Sequence, residues 1–381
     1  MAKTKPQDRT RDSKKNAKNG AANQKSKKPK ASPESLILQA TALLHTGQPD
    51  EALPLARRAL SLLQPTSEPT LAALPALNLL GEINVELGDP DTAREAFLAA
   101  VNLDEDGIED GAEKFLWLAQ LDEEGGAQSV KWFERGVEVL KREIGELEGK
   151  LKKAEVLEEL AEKKIKVANA LCGIAEVYMT DLSWEEDAET RCEAAVTEAL
   201  LIAPESPEPL QTLASVRISQ TKLSDAKAAL SRSMDLWKDL DADDPKVPDF
   251  STRISLSRLL MESEMEEEAI EVLERLVEEN DSSVEAWYLG GWCLHLLGEK
   301  QKTSGQTDTS TSLFKASRDW LDNSLKLYAM LEYEDDRLKD HAEELVKTLN
   351  DTLGPSTGEE EEEEENGWED TDGDEDDEME D

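Results

Sequence analysis

Residues 74–103 read LPALNLLGEINVELGDPDTAREAFLAAVNL and contain two helical patterns separated by a turn at Gly88. In each half, apolar residues recur every three to four positions, which is the period of one face of an α-helix. Small residues, Gly81 and Ala93, lie where two helix backbones would approach closely, and Phe97 is large enough to fill the space beside them. The stretch therefore predicts a pair of packed helices.

Similar units begin near residues 33, 74, 110, 166, 207, 250 and 284. They resemble the tetratricopeptide repeat, a helix pair with a large and a small residue midway along its first helix. Gly290 and Gly291 give the best first helix, whereas Trp117 puts a bulky ring at a small position. Because such pairs stack on their neighbours, we predict an all-α fold. Its architecture is a right-handed superhelical solenoid of about seven irregular tetratricopeptide repeats.

Composition divides the chain into three predicted regions. Residues 1–32 hold eleven Lys or Arg and two Asp, residues 33–354 carry the helical patterns, and residues 355–381 form an acidic end. From residue 359 onward, 17 of 23 residues are acidic and none is basic. Segments with so few apolar groups cannot offset the entropy of ordering. We therefore predict a disordered basic arm, a solenoid and a disordered acidic tail.

Three details of the predicted solenoid follow from local pattern. Alternating acidic and basic residues between 141 and 166 predict one long, exposed helix from about 128 to 180. The segment 299–312 is rich in Ser, Thr, Gln and Gly, which predicts a mobile loop. A last helix from about 331 to 353 would cap the open end of the solenoid.

The charge balance of the chain indicates its partner. There are 86 Asp and Glu against 43 Lys and Arg, a formal charge of −43. A nucleic-acid backbone would be repelled almost everywhere, whereas a basic macromolecule would be attracted and steered. The alternative is that the acidity serves solubility alone.

Several other classes of function are disfavoured. No signal peptide or transmembrane run is present, so no membrane partner is expected. His45, His295 and His341 are separate and have no paired nucleophile, and no phosphate-binding or zinc-protease motif occurs. Three widely spaced cysteines, Cys172, Cys192 and Cys293, fit neither a disulfide framework nor a zinc site. We expect a monomeric, non-enzymatic protein without cofactor or metal.

Positions two, five, nine, twelve and thirteen of each first helix face the inner groove of a tetratricopeptide solenoid. Here they hold carboxylates and two aromatic residues, and these are the predicted partner-binding residues: Glu82, Glu86, Asp122, Glu208, Glu262, Glu285, Tyr288 and Trp292. Carboxylates accept charge-assisted hydrogen bonds from Arg and Lys, and aromatic faces attract cations. The set therefore suits an extended basic peptide, with plain solvated surface as the alternative. A clamp for an acidic C-terminus is disfavoured, because only Lys114 is basic at the corresponding positions.

The cluster Lys27, Lys28 and Lys30 is a candidate nuclear localisation signal. It predicts nuclear import factors as further partners and a protein found in cytoplasm and nucleus. Short basic runs also occur without such a role, so that alternative stays open.

Several features together resemble the fungal dedicated assembly chaperones of large-subunit ribosomal protein L-four. They are the basic arm, the irregular repeats, EKFLWLAQL at residues 113–121, EAWYLGGW at residues 285–292 and the acidic tail. The resemblance implies capture of the newly made ribosomal protein through a long basic internal loop, followed by escort into the nucleus for ribosome assembly. A tetratricopeptide scaffold or adaptor in a multi-protein complex and an acidic histone chaperone are the alternatives.

Overall fold

The computed structural model describes residues 32–149 and 154–354, and within these ranges every regular element is helical. A 3-10 turn, Leu71–Ala73, precedes the third of the α-helices. In chain order the α-helices are α1 Pro33–His45, α2 Pro49–Leu63, α3 Leu74–Glu86, α4 Pro90–Leu103, α5 Glu113–Gln120, α6 Gly126–Glu148, α7 Ala154–Met179, α8 Ala188–Ile202, α9 Glu208–Ser219, α10 Leu223–Asp235, α11 Phe250–Glu262, α12 Glu266–Glu279, α13 Val284–Thr303, α14 Thr307–Met330 and α15 Asp336–Leu353.

The described residues belong to two compact units, Met1–Asp89 and Pro90–Asp381. In the first unit, α1 packs on α2, and α3 packs on both. Leu36, Ala59 and Ala76 form a small core between these three helices. Small side chains at such contacts let the helix axes approach closely.

In the second unit, consecutive helices pair and the pairs stack. Helices α5 and α6, α7 and α8, α9 and α10, α11 and α12, and α13 and α14 form contacting pairs. The first helices of neighbouring pairs also touch, α7 on α9, α9 on α11, and α11 on α13, while α15 packs on α13 and α14. The all-α fold of stacked tetratricopeptide-like pairs is thus confirmed. The predicted final helix is present as well, beginning at Asp336 because the Asp335 carboxylate caps its first turn.

The turn inside a pair depends on one residue in the left-handed conformation. Gly47 (φ 69°) fills this place between α1 and α2, and Gly305 (φ 79°) fills it between α13 and α14. Between α9 and α10 the residue is Thr221 (φ 58°), and between α11 and α12 it is Glu264 (φ 56°). Side chains with a Cβ adopt this conformation at a cost, so two pairs keep the turn geometry against local preference.

A ladder of serines joins α13 to α14. Each hydroxyl donates to a backbone carbonyl of the facing helix, at intervals of seven residues: Ser310 to Gly298 (2.9 Å), Ser317 to Gly291 (2.7 Å) and Ser324 to Val284 (2.9 Å). All three serines are buried. Gly290 lies directly under the Trp320 ring, where a Cβ would collide with it. Small residues thus allow the close approach that the hydrogen bonds require.

The predicted single helix from 128 to 180 is wrong, because α6 and α7 pack against each other as separate helices. Lys163 pairs with Glu143 (2.9 Å), and Lys164 pairs with Glu148 (3.4 Å), each bond joining the two helices. Alternating charge supports one exposed helix, but it supports ion pairs between two facing helices equally well. The sequence pattern alone does not separate these arrangements.

The predicted mobile loop at 299–312 is also wrong. Helix α13 continues to Thr303 and α14 begins at Thr307. The polar composition indicated a loop, but Ser310 is buried and its hydroxyl donates a hydrogen bond to the Gly298 carbonyl. Phe314 packs against the same glycine. The basic arm and the acidic tail lie outside the described residues, apart from their innermost boundary, so the three-region division stays a prediction.

Candidate peptide-binding groove

The first helices of four successive pairs surround one concave space of about 660 Å3, here called the first cavity. Residues from α5, α7, α9 and α11 line it, and Phe133 reaches in from α6. Most of the lining is polar or small, as with Asn169, Thr212 and Ser215. A surface of this kind offers hydrogen bonds to a peptide backbone.

Two carboxylates of the first cavity have no ion-pair partner among the described residues, Glu176 on α7 and Glu208 on α9. Glu208 accepts a hydrogen bond from the Ser206 hydroxyl. Glu176 remains solvent-exposed, yet the surrounding protein displaces enough water to raise the pKa of its carboxyl. Lys166, by contrast, is occupied by Glu113 (2.6 Å) and Glu162 (3.0 Å). The cavity thus presents two carboxylates that an incoming cation would stabilise.

A second cavity of about 520 Å3 lies between α11, α13 and α15. Apolar residues, including Leu289, Leu296 and Leu338, form much of its lining. Glu262 and Asp335 add negative charge, and Arg258 and Arg337 add positive charge. This cavity suits the aliphatic stem of a lysine or arginine, whose charged end would reach a carboxylate.

The aromatic residues of α13 are held by the capping helix. The Tyr288 hydroxyl lies 2.8 Å from Nδ1 of His341, and the Trp292 ring meets the same imidazole edge to face at 5.0 Å. Tyr288 is 9% exposed, and burial raises its pKa although Arg258 acts in the opposite direction. Trp292 is half-buried and lines the second cavity. Both rings therefore pack between α13 and α15, and Trp292 keeps one side toward the cavity.

Arg258 lines both cavities and joins them into one surface, here called the groove. Its guanidinium pairs with the Glu285 carboxylate, which connects α11 to α13. Counted from Phe250, Arg258 is the ninth position of its helix, so the same template that selected Glu262 also selects it. The expectation that only Lys114 is basic at such positions is therefore wrong. Sequence reasoning missed Arg258 because it considered only acidic and aromatic side chains.

The structure brings five of the predicted partner-binding residues together around the groove. Glu208 lines the first cavity, the second cavity holds Glu262, Tyr288 and Trp292, and Glu285 lies at their junction. The sequence prediction does not include Glu176, because a unit that begins at residue 166 places it off the inward-facing positions. Counting from 165 places Lys166, Asn169, Gly173 and Glu176 at positions two, five, nine and twelve.

The remaining predicted residues lie elsewhere. Glu82 and Glu86 belong to α3 of the first unit. Asp122 lies in the turn between α5 and α6, where its carboxylate accepts the N–H groups of Glu124 and Gly125, each at 3.1 Å. The three lysines of the candidate localisation signal, Lys27, Lys28 and Lys30, lie outside the described residues.

Comparison with known proteins identifies the family. A model described as tetratricopeptide repeat matches residues 33–106. A protein of Emericella nidulans, named a probable assembly chaperone of rpl4, is 52% identical over 337 residues, which cover 84% of this chain and 82% of the relative. A Schizosaccharomyces pombe protein with the same name is 36% identical over 289 residues, covering 75% of this chain and 83% of that protein. The chain belongs to the family of rpl4 assembly chaperones.

A solved structure from the rpl4 assembly-chaperone family has the same fold. The structure of the assembly chaperone of RpL4 (Acl4), residues 1–338, is 50% identical and superposes with a TM-score of 0.65. The match covers 72% of this chain and 99% of that structure. The resemblance predicted from the sequence is therefore confirmed.

In this member of the rpl4 assembly-chaperone family, Lys114 does not face a ligand. Its side chain is fully buried and pairs with Asp104 at 2.8 Å. Residues 32–149 and 154–354 contain no group of three His, Cys, Asp or Glu side chains suited to a metal ion. None of the helices in those ranges is both long and apolar enough to cross a membrane.

Proposed function

We propose that this protein is a dedicated chaperone of rpl4 that captures the newly made, strongly basic ribosomal protein in the groove. The observation that carries the proposal is the agreement between two independent features. Relatives at 52% and 36% identity are named assembly chaperones of rpl4. The groove of this chain presents three carboxylates, Glu176, Glu208 and Glu262, that form no ion pair with any residue the structure describes, beside an apolar wall.

The chemistry of the groove fits an extended basic segment. Guanidinium and ammonium groups would donate charge-assisted hydrogen bonds to the carboxylates, and aliphatic stems would cover the leucines of the second cavity. The charge of −43 would steer a basic client toward the protein before contact. An rRNA-binding protein held in this way is shielded from stray polyanions. No chemical step is required of the chaperone, which favours a non-enzymatic role.

Escort of rpl4 to nuclear ribosome assembly is part of the proposal. Lys27, Lys28 and Lys30 would then bind import factors, and the protein would move between cytoplasm and nucleus as a monomer. Fluorescent fusions of the full chain and of a variant with all three lysines changed to Ala would test this part. Equal nuclear accumulation of the two fusions would contradict a role for these lysines.

Binding of purified rpl4 tests the proposed function directly. Glu176→Gln, Glu208→Gln and Glu262→Gln together should weaken binding at least tenfold, because three charge-assisted contacts are lost. A matched control carries Glu271→Gln, Glu274→Gln and Glu278→Gln, which remove the same charge from exposed positions of α12. Isothermal titration calorimetry measures both, with circular dichroism as the check on folding. Equal affinities of the two triple variants would refute capture in the groove.

The two alternative functions give different outcomes in the same assay. A histone chaperone that acts through its tail would lose all binding when residues 359–381 are deleted, while the groove variants would bind normally. A scaffold or adaptor would bind neutral and acidic partners as well as rpl4. The dedicated chaperone is expected to bind rpl4 selectively. When residues 359–381 are deleted, its association with rpl4 should become slower, but binding should persist.

A further inference from the structure

We propose that Arg258 is an internal competitor of the client: it occupies the Glu285 carboxylate in the empty groove and is displaced by a guanidinium or ammonium group of the bound basic segment. This inference rests on the proposed function and deepens it, since it assigns a residue that sets how basic a client must be. The ligand class is an Arg- or Lys-rich peptide segment.

The position of Arg258 is the first argument. It lies where the two cavities meet, so a peptide that runs through the groove passes directly over it. Its side chain is 56% exposed, whereas that of Glu285 is 26% exposed. The arginine therefore lies on the solvent side of the pair and covers the carboxylate. A client cation that takes the place of Arg258 on the partly exposed Glu285 carboxylate has to move the arginine aside.

Other carboxylates near Arg258 could pair with its guanidinium once it has left Glu285. Glu262 lies one helical turn further along α11 and lines the same cavity. Glu208 lines the first cavity together with Arg258. Tyr333, from the turn before α15, is close enough that Glu285 and Asp335 raise its pKa, after the larger effect of burial, while Arg258 lowers it. A displaced Arg258 can therefore approach these carboxylates, where it competes with the client's remaining cations, and Arg337 and Lys166 add further positive charge to the two cavities.

Compared with other arginines of the second unit, Arg258 forms few contacts that stabilise the fold. Arg253 is 3% exposed at its side chain and pairs with Glu279 at 2.6 Å. Arg275 donates to the carbonyls of Lys238 (2.7 Å) and Leu240 (2.9 Å). Among the described residues, Arg258 donates only to Glu285. An exposed ion pair of this kind contributes little to stability, so exchanging its cation for another is easy.

A selection rule follows from this arrangement. A neutral segment cannot replace Arg258, and a segment with a single cation gains only what the internal arginine gives up. A run of several cations both replaces it and pairs with Glu176, Glu208 and Glu262. Arg258 thus raises the threshold of positive charge that a ligand needs, at the expense of some affinity for the correct ligand.

The test compares Arg258→Met with Arg232→Met, which removes the same charge from an exposed position of α10. Each full-length variant is titrated with rpl4, with a synthetic Arg-rich peptide and with the same peptide carrying Gln for Arg. We expect Arg258→Met to bind both basic ligands about threefold to tenfold more tightly. The substitution removes a positive charge that repels the cations of the ligand beside the partly desolvated Glu285 carboxylate. Arg232→Met should stay within about twofold of the wild type, since its charge is distant and screened.

A second pair of variants separates competition from a general charge effect. In a Glu285→Gln background Arg258 has no carboxylate to cover, so adding Arg258→Met should give a clearly smaller gain than in the wild type. Unchanged or weaker binding of basic ligands by Arg258→Met, with circular dichroism intact, overturns the inference. Equal gains in the two backgrounds overturn it as well.

The outcomes also separate this inference from the proposed function. Failure of the wild type to bind rpl4 would contradict the proposed function, while the Arg-rich peptide would still report on Arg258. Normal rpl4 binding without any gain from Arg258→Met would leave the chaperone function standing and remove only the competitor role.

Discussion

Lys114 Nζ lies 2.8 Å from Asp104 Oδ2, and the two side chains are 0% and 4% exposed. The ammonium also donates to the Gly111 carbonyl at 2.9 Å. The Asp104 carboxylate in turn accepts the backbone N–H of Ile108 at 2.9 Å, with two further N–H groups of the same loop. One buried ion pair therefore organises the whole connection between α4 and α5.

Replacing one partner of this pair should destabilise the protein strongly. Lys114→Met leaves the Asp104 carboxylate buried without its counter-charge, and such changes cost about 3–5 kcal/mol. Urea unfolding followed by circular dichroism measures the change in the free energy of unfolding. Lys131→Met, at an exposed position of α6, is the control and should change it by less than about 0.5 kcal/mol. A loss of under 1 kcal/mol for Lys114→Met would show that the loop holds without the pair.

Client binding should weaken as the pH falls through the pKa of Glu176. The surrounding protein displaces water from this exposed carboxyl and raises that pKa above the ordinary value of about 4.3 for glutamate. Only the ionised carboxylate pairs with a client cation, so binding favours proton release. Affinity for rpl4 is therefore full above the raised pKa and declines below it. Calorimetric titrations from pH 7.5 to 4.5 measure this, and Glu176→Gln should show a shallower decline if the assignment is right.

Alanine at Gly290 should destabilise the α13–α14 hairpin. Its Cβ would collide with the Trp320 ring, and overpacking of this kind costs about 1–3 kcal/mol. Gly145→Ala in α6 is the matched substitution, since a Cβ there meets nothing within 4 Å. Because alanine is the better helix former, Gly145→Ala should stabilise by up to about 1 kcal/mol. Thermal unfolding reports both shifts, and shifts of equal sign would contradict this packing.

Glycine at position 221 should stabilise the protein. Thr221 adopts φ 58° in the turn between α9 and α10, a conformation that costs a β-branched residue about 1–2 kcal/mol. Thr221→Gly removes this strain, and the more flexible unfolded chain offsets part of it, so we expect a gain of about 1 kcal/mol. Thr311→Gly, an exposed position within α14, should instead lose roughly 0.3–0.5 kcal/mol, because glycine is the poorer helix former. A loss at Thr221 would place that residue outside the left-handed region in solution.

The cysteine thiols should be inert in the folded protein. Burial raises the pKa of Cys172 and that of Cys293 to about 12. At pH 8 this lowers the reactive thiolate fraction about a thousandfold relative to a free cysteine. Iodoacetamide labelling followed by mass spectrometry should therefore be slow until denaturant is added. Rapid labelling of either residue in the native protein would contradict its burial.

Much of the fold follows from the sequence because helix pairs have a local signature. The chain repeats a spacing of small and bulky residues that is expected for two helices joined by a turn. Gly81 and Gly291 are examples of the small residues. The pattern is weaker where long-range contacts decide. The charged stretch between α6 and α7 suits one exposed helix or two facing ones, and only packing distinguishes them. The serines of α14 appear loop-like until their hydroxyls are paired with carbonyls of α13.

The groove was predictable in outline for the same reason. Positions facing inward repeat with the helix pair, so the sequence places Glu208, Glu262 and Trp292 at the groove, where the register is clear. Their role in binding stays a prediction. A shift of one residue was enough to lose Glu176, because helical faces change by 100° per residue. The sequence prediction does not include Arg258 for a different reason. The importance of Arg258 comes from its ion pair with Glu285, which joins two helices. Sequence spacing carries no direct sign of such a pair.

The serine ladder of the last helix pair limits where the protein can adapt to its cargo. Sliding α14 along α13 by one turn would break all three hydrogen bonds at once and push Trp320 off its glycine. We therefore expect α13 and α14 to move as one rigid unit, because they can slide past each other only if all three hydrogen bonds break together. Any adjustment of the groove on loading is then expected to occur outside this helix pair, for example where the exchangeable pair of Arg258 and Glu285 joins α11 to α13.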